Sequence, residues 1–412
     1  MTTTPTTQVH VAVDFGGVPA RAGSAYVTER RGVVSVVFDY DAGYLADRRG
    51  YPLSPDLSLA TGKHSLAGLP GCFADSAPDR WGRNLIAKRI RAQARGEGRQ
   101  PGSIQEVDYL LGVSDLTRQG ALRFALAEVG PYLDAQPGVP QLVALPRLLR
   151  AADAVAADGD DYMAAVKELL DAGSGSLGGA RPKASVQDGE RLLIAKFPHH
   201  SDEWDVMAWE KTALDLAERC GIRVPHRQLV DVGGRNVLLL DRFDRRVHGR
   251  VGYISAMTLL RASDGDQADY LEVAEALSEH GSNVSEDLAE LWRRIAFSLI
   301  INNIDDHLRN HGLLRDAAGW RLSPAFDLNP HPDIGISRAT TIGFVNDAEP
   351  ARAALLESAA DFGLDAAVAR SAWEETLAAT APWRGVAVGN GITDASCDSF
   401  APAIDRFRSH RY

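Results

Sequence analysis

Alternating apolar and polar positions dominate the start of the chain. Between residues 8 and 41 many apolar residues recur at every second position, and residues 33–38 are rich in valine. This alternation and the β-branched side chains predict strands of a sheet. A helical period follows at 78–93, with a stripe formed by Trp81, Leu85, Ile86 and Ile90. The first part of the chain is therefore predicted to be strand-rich, with one long helix.

From about residue 145 onward, the spacing of apolar residues alternates between the two-residue period of a strand and the 3.6-residue period of a helix. It predicts helices at about 145–156, 160–171, 205–219 and 285–301, and strands at 182–186, 191–198, 228–232 and 237–240. The prolines between Pro131 and Pro146 mark the best candidate for a linker. The order predicts an α+β protein, with a strand-rich N-terminal subdomain at 8–130, a mixed lobe at 145–262 and a helical lobe at 263–410.

Composition narrows the class of protein. The chain has 412 residues, which suggests about two or three domains. Its formal net charge of -11 disfavours direct binding of nucleic acid. Cys72, Cys220 and Cys397 form no CxxC pair, so reduced thiols of a cytoplasmic protein are expected. No signal peptide or membrane span is expected, because the N-terminus is polar and no run of about 18 apolar residues occurs.

Candidate chemistry lies in the loop that follows the helix predicted at 285–301. Asp305 is followed five positions later by Asn310, which is the D-x-x-x-x-N spacing of a kinase catalytic loop. The carboxylate of Asp305 would accept the proton of an attacking hydroxyl group, and the amide oxygen of Asn310 would help to hold Mg²⁺. A hairpin predicted at 311–323 then leads to Asp327, whose carboxylate would bridge Mg²⁺ to the phosphates.

Each of these residues alone is more typical of an ordinary turn, because Asp and Asn bond to nearby backbone groups. The ordered set of helix, Asp, Asn, hairpin and Asp is what favours a phosphoryl-transfer centre. In the doublet Asp305-Asp306, the spacing to Asn310 favours Asp305 as the base. His307 stays open between a ligand or base and, more commonly, a structural histidine.

A glycine-rich run at 173–179 matches G-x-G-x-x-G. A dinucleotide-binding fingerprint needs a strand before the glycines and a helix after them, whereas here the predicted order is reversed. That order favours a loop over ATP phosphates, with a flexible linker as an equal alternative. Lys196 shares a strand face with Leu192 and Ile194, and a lysine on the inward face would need a charged partner such as phosphate.

Two further segments complete the candidate nucleotide site. Glu210, on the next predicted helix, could pair with Lys196 when no nucleotide is bound, or be an ordinary exposed glutamate. The run at 237–245 resembles a hinge strand, in which backbone near Asp241 would meet adenine and Phe243 could stack on it. Three nearby arginines could bind phosphate, although a solvated surface is the default interpretation: Arg245, Arg246 and Arg250.

Together these motifs resemble the HipA-like Ser/Thr protein kinases, the toxin components of type II toxin–antitoxin systems. The similar segments span nearly the whole chain: 53–57, 79–82, 175–183, 194–196, 240–245, 305–310 and 324–327. The resemblance implies a two-lobed protein-kinase-like fold and phosphorylation of protein Ser or Thr with ATP and Mg²⁺. The residues implied for ATP binding are Gly175, Ser176, Gly178, Gly179, Lys183, Lys196, Asp241 and Phe243.

The resemblance also implies regulation and a partner. In the family a loop serine is autophosphorylated, which ejects the loop; Ser176 occupies that position, and Ser174 is less favoured. A phosphate of charge about −1.5 to −2 there would repel ATP phosphates. The implied partner is a small helix-turn-helix antitoxin of the HipB type, through which any DNA contact would be made. Family targets include aminoacyl-tRNA synthetases, but the sequence does not identify the target here.

Two other functions stay open. One is a kinase-like small-molecule phosphotransferase, which would share the catalytic Asp, Asn and Asp residues. The other is an ATP-binding partner or repressor subunit without turnover. The serine in the glycine-rich loop and the N-terminal module favour a protein kinase over the first. The intact set of Asp305, Asn310, Asp327 and Lys196 disfavours the second.

Overall fold

The chain forms two compact units. The computed structural model describes residues 6–128, 130–133, 138–157, 162–174, 181–263 and 265–408. The first unit comprises Met1–Ser201 and Val230–Ile254, and the second comprises Asp202–Leu229 and Ser255–Tyr412. Helices and strands are mixed along the chain, which confirms the predicted α+β class. Within the described part of the chain, no helix has both the length and the apolarity needed to cross a membrane.

The N-terminal part of the first unit is built on an antiparallel sheet of strand order β4-β3-β2-β1-β5. Its strands are β1 (Thr6–Phe15), β2 (Val18–Arg30), β3 (Val33–Tyr40), β4 (Lys63–Ala67) and β5 (Leu122–Ala125). The alternating valines at 9, 11 and 13 are all buried, as the period predicts. Gly16 and Gly17, both at positive φ, form the two-residue turn between β1 and β2, a conformation that glycine adopts most readily.

The described part of the first unit also contains six α-helices. They are α1 (Ala42–Ala46), α2 (Gly71–Ser76), α3 (Arg80–Gly96), α4 (Glu106–Leu111), α5 (Leu145–Ala157) and α6 (Tyr162–Asp171). The carboxylate of Asp79 caps α3 by accepting a hydrogen bond of 2.7 Å from the Gly82 N–H. In the predicted linker, the Pro140 carbonyl accepts a 2.8 Å hydrogen bond from the Gln187 N–H, so its second half lies along the next sheet.

A second sheet has the strand order β6-β7-β9-β8. Its strands are β6 (Lys183–Asp188), β7 (Arg191–Lys196), β8 (Arg227–Asp231) and β9 (Asn236–Asp241). Leu193 and Ala195 of β7 belong to one hydrophobic core with Leu85 of α3, Leu148 of α5 and Leu169 of α6. This core holds the candidate ATP-binding strand against three helices.

The second unit is mainly helical and centres on α10. Its elements are α7 (Val206–Arg219), β10 (Tyr253–Ser255), where the chain enters the unit for the second time, α8 (Ala256–Leu259), β11 (Ala268–Asp269), α9 (Tyr270–His280), α10 (Val284–Ile300), β12 (Gly312–Arg315), β13 (Trp320–Leu322), β14 (Thr340–Thr341), α11 (Ala348–Glu357), α12 (Ala366–Ala379), α13 (Trp383–Gly389) and α14 (Asp394–Ile404). The predicted apolar stripe of α10 is buried, including Leu291, Trp292 and Ile295. The predicted hairpin after it is β12 and β13.

Candidate phosphoryl-transfer site

The loop after α10 holds two consecutive aspartates in opposite environments. Asp305 is exposed to solvent, whereas Asp306 is almost completely buried. The Asp306 carboxylate accepts hydrogen bonds from the Tyr270 hydroxyl at 2.6 Å and from the Ser298 hydroxyl at 2.9 Å. His311 Nε2 lies 3.0 Å from the other carboxylate oxygen. Asp306 is therefore an anchor of the loop, and Asp305 is the member of the doublet that can meet a substrate.

Electrostatics reinforces this difference. Burial alone would raise the pKa of Asp306, but His311 and Arg338 outweigh it and hold that pKa well below its usual range. Burial and the Asp306 charge raise the pKa of Tyr270, so its hydroxyl stays protonated and can donate. The Thr340 hydroxyl donates to the Asp306 carbonyl at 2.5 Å. Both the side chain and the main chain of Asp306 are thus fixed.

Asn310 closes the loop onto Asp305. Its Nδ2 donates to the main-chain carbonyl of Asp305 at 3.0 Å, and its N–H donates to the His307 carbonyl at 2.8 Å. The amide group is thereby oriented, with its oxygen directed away from that carbonyl. The His307 N–H donates to the Asp305 carbonyl at 3.1 Å, so the main chain of His307 helps to shape the loop.

Asp327 follows the hairpin and has an unusual backbone conformation. Its φ is 57°, in the left-handed region that few residues other than glycine adopt. Asn329 Nδ2 donates to the Asp327 carbonyl at 3.2 Å and lies 3.4 Å from its Oδ1. Backbone strain of this kind is characteristic of functional sites. The Ala325 N–H donates to the Arg223 carbonyl at 2.7 Å, which fixes the approach to Asp327.

The carboxylates of Asp305 and Asp327 influence each other. Partial desolvation raises the pKa of Asp305, and the negative charges of Asp327 and Asp306 raise it further, against the opposing effect of His307. The second unit therefore brings Asp305, Asn310 and Asp327 together within one loop system.

A magnesium ion fits the donor set of this loop system. Mg²⁺ prefers oxygen ligands and is often bound by one or two protein groups together with phosphates and water. Asp327 offers a carboxylate and Asn310 an oriented amide oxygen. Within the described ranges, no cluster of three or more His, Cys, Asp or Glu side chains is arranged to hold a metal ion.

In the first unit, Lys196 lies on the face of β7 opposite the main core. Leu193 and Ala195 point into that core, whereas Leu192 and Ile194 are only half-buried. The interpretation that Leu192, Ile194 and Lys196 mark the inward face is therefore wrong, because alternation separates two faces without showing which one packs. Lys196 is nevertheless only 8% exposed. An ammonium group this deep requires a charged or strongly polar partner.

Lys183 lies opposite Lys196 in the β6–β7 register but has a structural contact. Its Nζ lies 2.9 Å from Asp79 Oδ2, and the two side chains are 3% and 9% exposed. The lysine predicted to bind ATP thus forms a buried ion pair with the cap of α3. Sequence spacing cannot predict this pair, because the two opposite charges lie far apart along the chain.

The base of the glycine-rich loop is tightly closed. The Ser174 hydroxyl is fully buried and donates to the Lys183 carbonyl. The Ser185 N–H donates to the Ala172 carbonyl at 2.9 Å. Gly173 has a φ of 68°, and a Cβ there would lie only 2.4 Å from Thr117 Oγ1. The predicted ATP-binding residues Gly175, Ser176, Gly178 and Gly179 lie outside the described residues.

The predicted hinge mixes surface residues with a buried ionic network. Asp241 ends β9 and lies 3.4 Å from Arg191, and the Phe243 ring lies 6.4 Å from that of Tyr253. Arg242 donates two hydrogen bonds to Asp244, at 2.8 and 2.6 Å, in the interior. Burial would raise the pKa of Asp244, but Arg242 and Arg245 hold it well below its usual range.

For Arg245 and Arg250, the default interpretation as a solvated surface is wrong. Arg245 lies 2.7 Å from Asp244, and Arg250 lies 3.0 Å from Asp115. Both guanidinium groups are largely shielded from solvent by these ion pairs, so the first unit uses them for stability. Arg246 is exposed, as expected.

Glu210 lies on α7 in the second unit and is 1% exposed. The alternative that it is an ordinary exposed glutamate is therefore wrong. A buried carboxylate requires compensation by a positive charge or by hydrogen bonds.

Family profiles match most of the chain. Residues 21–103 match the HipA N-terminal domain, and residues 175–383 match the HipA-like C-terminal domain. The chain belongs to the HipA-like kinase family. The order of the two matched segments is the order in which the N-terminal sheet and the Asp305–Asp327 loop system occur here. The resemblance found in the sequence motifs is thereby confirmed.

Named relatives agree with this membership. The provisionally assigned kinase Y4mE of Sinorhizobium fredii is 25% identical over 358 residues, which cover 77% of this chain and 78% of Y4mE. The provisionally assigned kinase Y4dM of the same organism is 30% identical over 135 residues, but these cover only 29% of this chain and 32% of Y4dM. The alignment therefore spans about a third of Y4dM. Relatives of this kind indicate phosphoryl transfer as the general chemistry.

A solved structure shares the fold over almost the full length. It is the HipA toxin–antitoxin system of Shewanella oneidensis MR-1, in complex with HipB and its operator DNA. The TM-score is 0.70 at 16% identity, with 97% of each chain covered. The fold of this chain is thus the HipA fold.

Proposed function

We propose that this chain is an ATP- and Mg²⁺-dependent serine/threonine protein kinase and the toxin of a type II toxin–antitoxin system. The observation that carries the proposal is the Asp305–Asp306 doublet. One carboxylate is exposed and has a raised pKa, while its neighbour is buried and anchors the loop. A general base needs both access to the substrate and a firmly held backbone. Membership of the HipA-like kinase family supports the same function.

Asp305 would accept the proton of the attacking Ser or Thr hydroxyl group. Asn310 and Asp327 would hold the Mg²⁺ ion, which neutralises phosphate charge when it is bound. The hydrogen bond from Asn310 to the Asp305 carbonyl couples the position of the base to that of a metal ligand. Lys196 would bind ATP phosphates, and Glu210 would pair with this lysine. Both side chains are buried. Asp241 and Phe243 would contact the adenine.

Autophosphorylation would take place on Ser176 rather than on Ser174. The Ser174 hydroxyl is fully buried and donates to the Lys183 carbonyl, so phosphorylation there would require the base of the loop to open. A phosphate on Ser176 would place negative charge in the loop that covers ATP. We further propose that Gly175, Gly178 and Gly179 bring their N–H groups close to phosphate oxygens.

The division proposed from the sequence is a subdomain at 8–130, an ATP-binding lobe at 145–262 and a catalytic lobe at 263–410. The partner would be a helix-turn-helix antitoxin of the HipB type, since the S. oneidensis relative was solved with HipB and operator DNA. DNA would be reached only through that antitoxin, because this chain carries a net charge of -11. This chain would act in the cytoplasm on a cellular protein, and aminoacyl-tRNA synthetases are the first candidate substrates to assay.

The decisive experiment is labelling of the purified chain with γ-labelled ATP and Mg²⁺. Label is expected on Ser176, at a rate unaffected by Ser174→Ala and abolished by Asp305→Asn or Asp327→Asn. Lys196→Ala should weaken ATP binding by about tenfold or more, because it removes a charged phosphate contact. Undiminished label in the Asp305→Asn chain would refute the assignment of the base. Faster transfer to sugars or aminoglycosides than to any protein would refute the substrate class.

A further inference from the structure

The segment that follows Asp327 is attached directly to the catalytic loop. Arg338 donates to the Asn303 carbonyl at 2.9 Å, and the Ala339 N–H donates to the Ile304 carbonyl at 2.9 Å. Thr340 donates to the Asp306 carbonyl at 2.5 Å. Residues 338–340 therefore contact the main chain on both sides of Asp305. A molecule that binds to the residues next to 338–340 is therefore held close to Asp305, the proposed base.

Just beyond this attachment, the chain makes a tight turn with Phe344 at its tip. Ile342 and Val345 exchange hydrogen bonds of 2.9 and 3.2 Å, and the two residues between them have positive φ. Gly343 has a φ of 58° and Phe344 has a φ of 64°. Positive φ at both central positions is the geometry that favours Asn-Gly or Gly-Gly pairs. A phenylalanine at such a position is a genuine backbone outlier.

A buried carboxylate holds this strained turn in place. Asp269 accepts hydrogen bonds from the Phe344 N–H at 2.8 Å and from the Thr341 hydroxyl at 2.7 Å. The same side chain caps α9 by accepting from the Leu271 N–H at 2.9 Å. The conformation of Phe344 is therefore imposed by the fold of the second unit.

The strained residue points its ring into solvent. Phe344 is 84% exposed, and Ile334 and Ile336 of the same segment are 57% and 44% exposed. A single exposed apolar side chain is ordinary, but a strained backbone that holds an aromatic ring in solvent next to the catalytic loop favours a contact with another molecule. The exposed acids Asp333, Asp347 and Glu349 surround this segment along the chain.

We propose that residues 334–344, hereafter the docking segment, bind the protein that is phosphorylated. Phe344 inserts into an apolar recess of that protein, and lysine or arginine side chains at the rim of the recess pair with the acidic residues around the docking segment. A central aromatic anchor inside a charged rim is the usual anatomy of a specific interface. This inference rests on the proposed protein kinase activity and names how its substrate is held.

Phe344→Gly is the informative variant. Glycine adopts positive φ without strain, so this change deletes the ring while relieving the backbone. The full-length chain and its variants are added with γ-labelled ATP and Mg²⁺ to a cell lysate freed of nucleotides, and label above an Asp305→Asn background is measured. Phe344→Gly is expected to lower the initial rate of labelling of lysate protein by about tenfold, as loss of an aromatic anchor does. Labelling of its own Ser176 and its melting temperature should not fall.

Two controls isolate the ring. Phe344→Leu keeps apolar bulk at the turn and should retain most labelling of lysate protein. Val368→Ala removes a side chain that is 49% exposed on α12 of the same unit, and should change neither rate. The assignment is overturned if Phe344→Gly labels lysate protein at the wild-type rate, or if it slows labelling of its own serine equally. It is also overturned if the variant loses only self-association or antitoxin binding. If the wild-type chain labels no other protein above background, the proposed kinase activity on other proteins has failed, and the docking assignment falls with it.

Discussion

Replacing Lys183 with methionine tests whether this lysine binds ATP or stabilises the fold. The Lys183 ammonium group lies 2.9 Å from the Asp79 carboxylate, and both side chains are more than nine-tenths buried. Removing one member of a buried pair leaves the other charge uncompensated, which typically costs about 3–5 kcal/mol. For units of roughly 150–250 residues, each kcal/mol lowers the melting temperature by about 2–4 °C. The expected fall for Lys183→Met is therefore roughly 6–20 °C.

The assay compares stability with nucleotide affinity. Thermal unfolding is followed by calorimetry, and ATP affinity is measured by titration well below the melting temperature of the variant. Lys183→Met should change the ATP dissociation constant by less than about threefold, which corresponds to under 1 kcal/mol. Lys196→Met, on the neighbouring strand, is the matched lysine control. It should weaken ATP binding by about tenfold or more if Lys196 contacts phosphate.

The partner variant shows whether the loss belongs to the ion pair. Asp79→Asn keeps a side-chain oxygen to cap α3 but removes the charge, so it should also destabilise the chain. The double variant should lose less free energy of unfolding than the sum of the two single variants. The difference should be about 0.5–3 kcal/mol, the coupling typical of contacting residues. Strictly additive losses would contradict the ion-pair interpretation. A large loss of ATP affinity in Lys183→Met with an unchanged melting temperature would restore the role predicted from the sequence.

Four further predictions test other parts of the structure. Asp306→Ala should lower the melting temperature far more than Asp305→Ala, because the Asp306 carboxylate has several buried partners. The expected decrease in the free energy of unfolding for Asp306→Ala is about 3–5 kcal/mol. Asp305→Asn should have a higher melting temperature than the wild-type chain at neutral pH. The folded-state pKa of Asp305 is raised, so folding favours its protonated form and the ionised form at higher pH is destabilising. That advantage should disappear as the pH falls below the ordinary value of 3.8. Ser174→Ala should lower the free energy of unfolding by about 1 kcal/mol, because it removes the hydroxyl that donates to the Lys183 carbonyl. Chemical unfolding measures this change. Burial raises the pKa of the Cys220 thiol to about 12, so its reaction with a disulfide reagent at pH 8 should be much slower in the folded chain than in the unfolded chain.

Local sequence pattern was sufficient for most elements near the site. The helix predicted at 285–301 is α10 at Val284–Ile300, and the strand predicted at 237–240 is β9 at Asn236–Asp241. Both have a strong apolar period, which is set by residues close together along the chain. The spacing argument that preferred Asp305 to Asp306 agrees with their exposed and buried environments.

Contacts between distant segments could not be predicted in this way. The partner of Lys183 lies 104 residues away, and the partner of Arg250 lies 135 residues away. The period of a strand also cannot show which of its two faces meets the core, and in β7 that face is the one of Leu193 and Ala195. The burial of Glu210 is equally hard to predict from sequence, because it depends on packing across the second unit rather than on the neighbours of Glu210 along α7.

The arrangement of the Asp305–Asp306 doublet gives a physical reason for having two adjacent aspartates. A catalytic carboxylate gains from a fixed position but loses access if its own oxygens are used to fix it. In this loop the anchoring is done by the buried side chain of Asp306 and by the main-chain carbonyl of Asp305, which accepts from Asn310. The carboxylate of Asp305 can then stay exposed while its backbone is held at two adjacent peptide units. Replacement of Asp306 should therefore disturb the position of the base even though Asp306 takes no part in the chemistry.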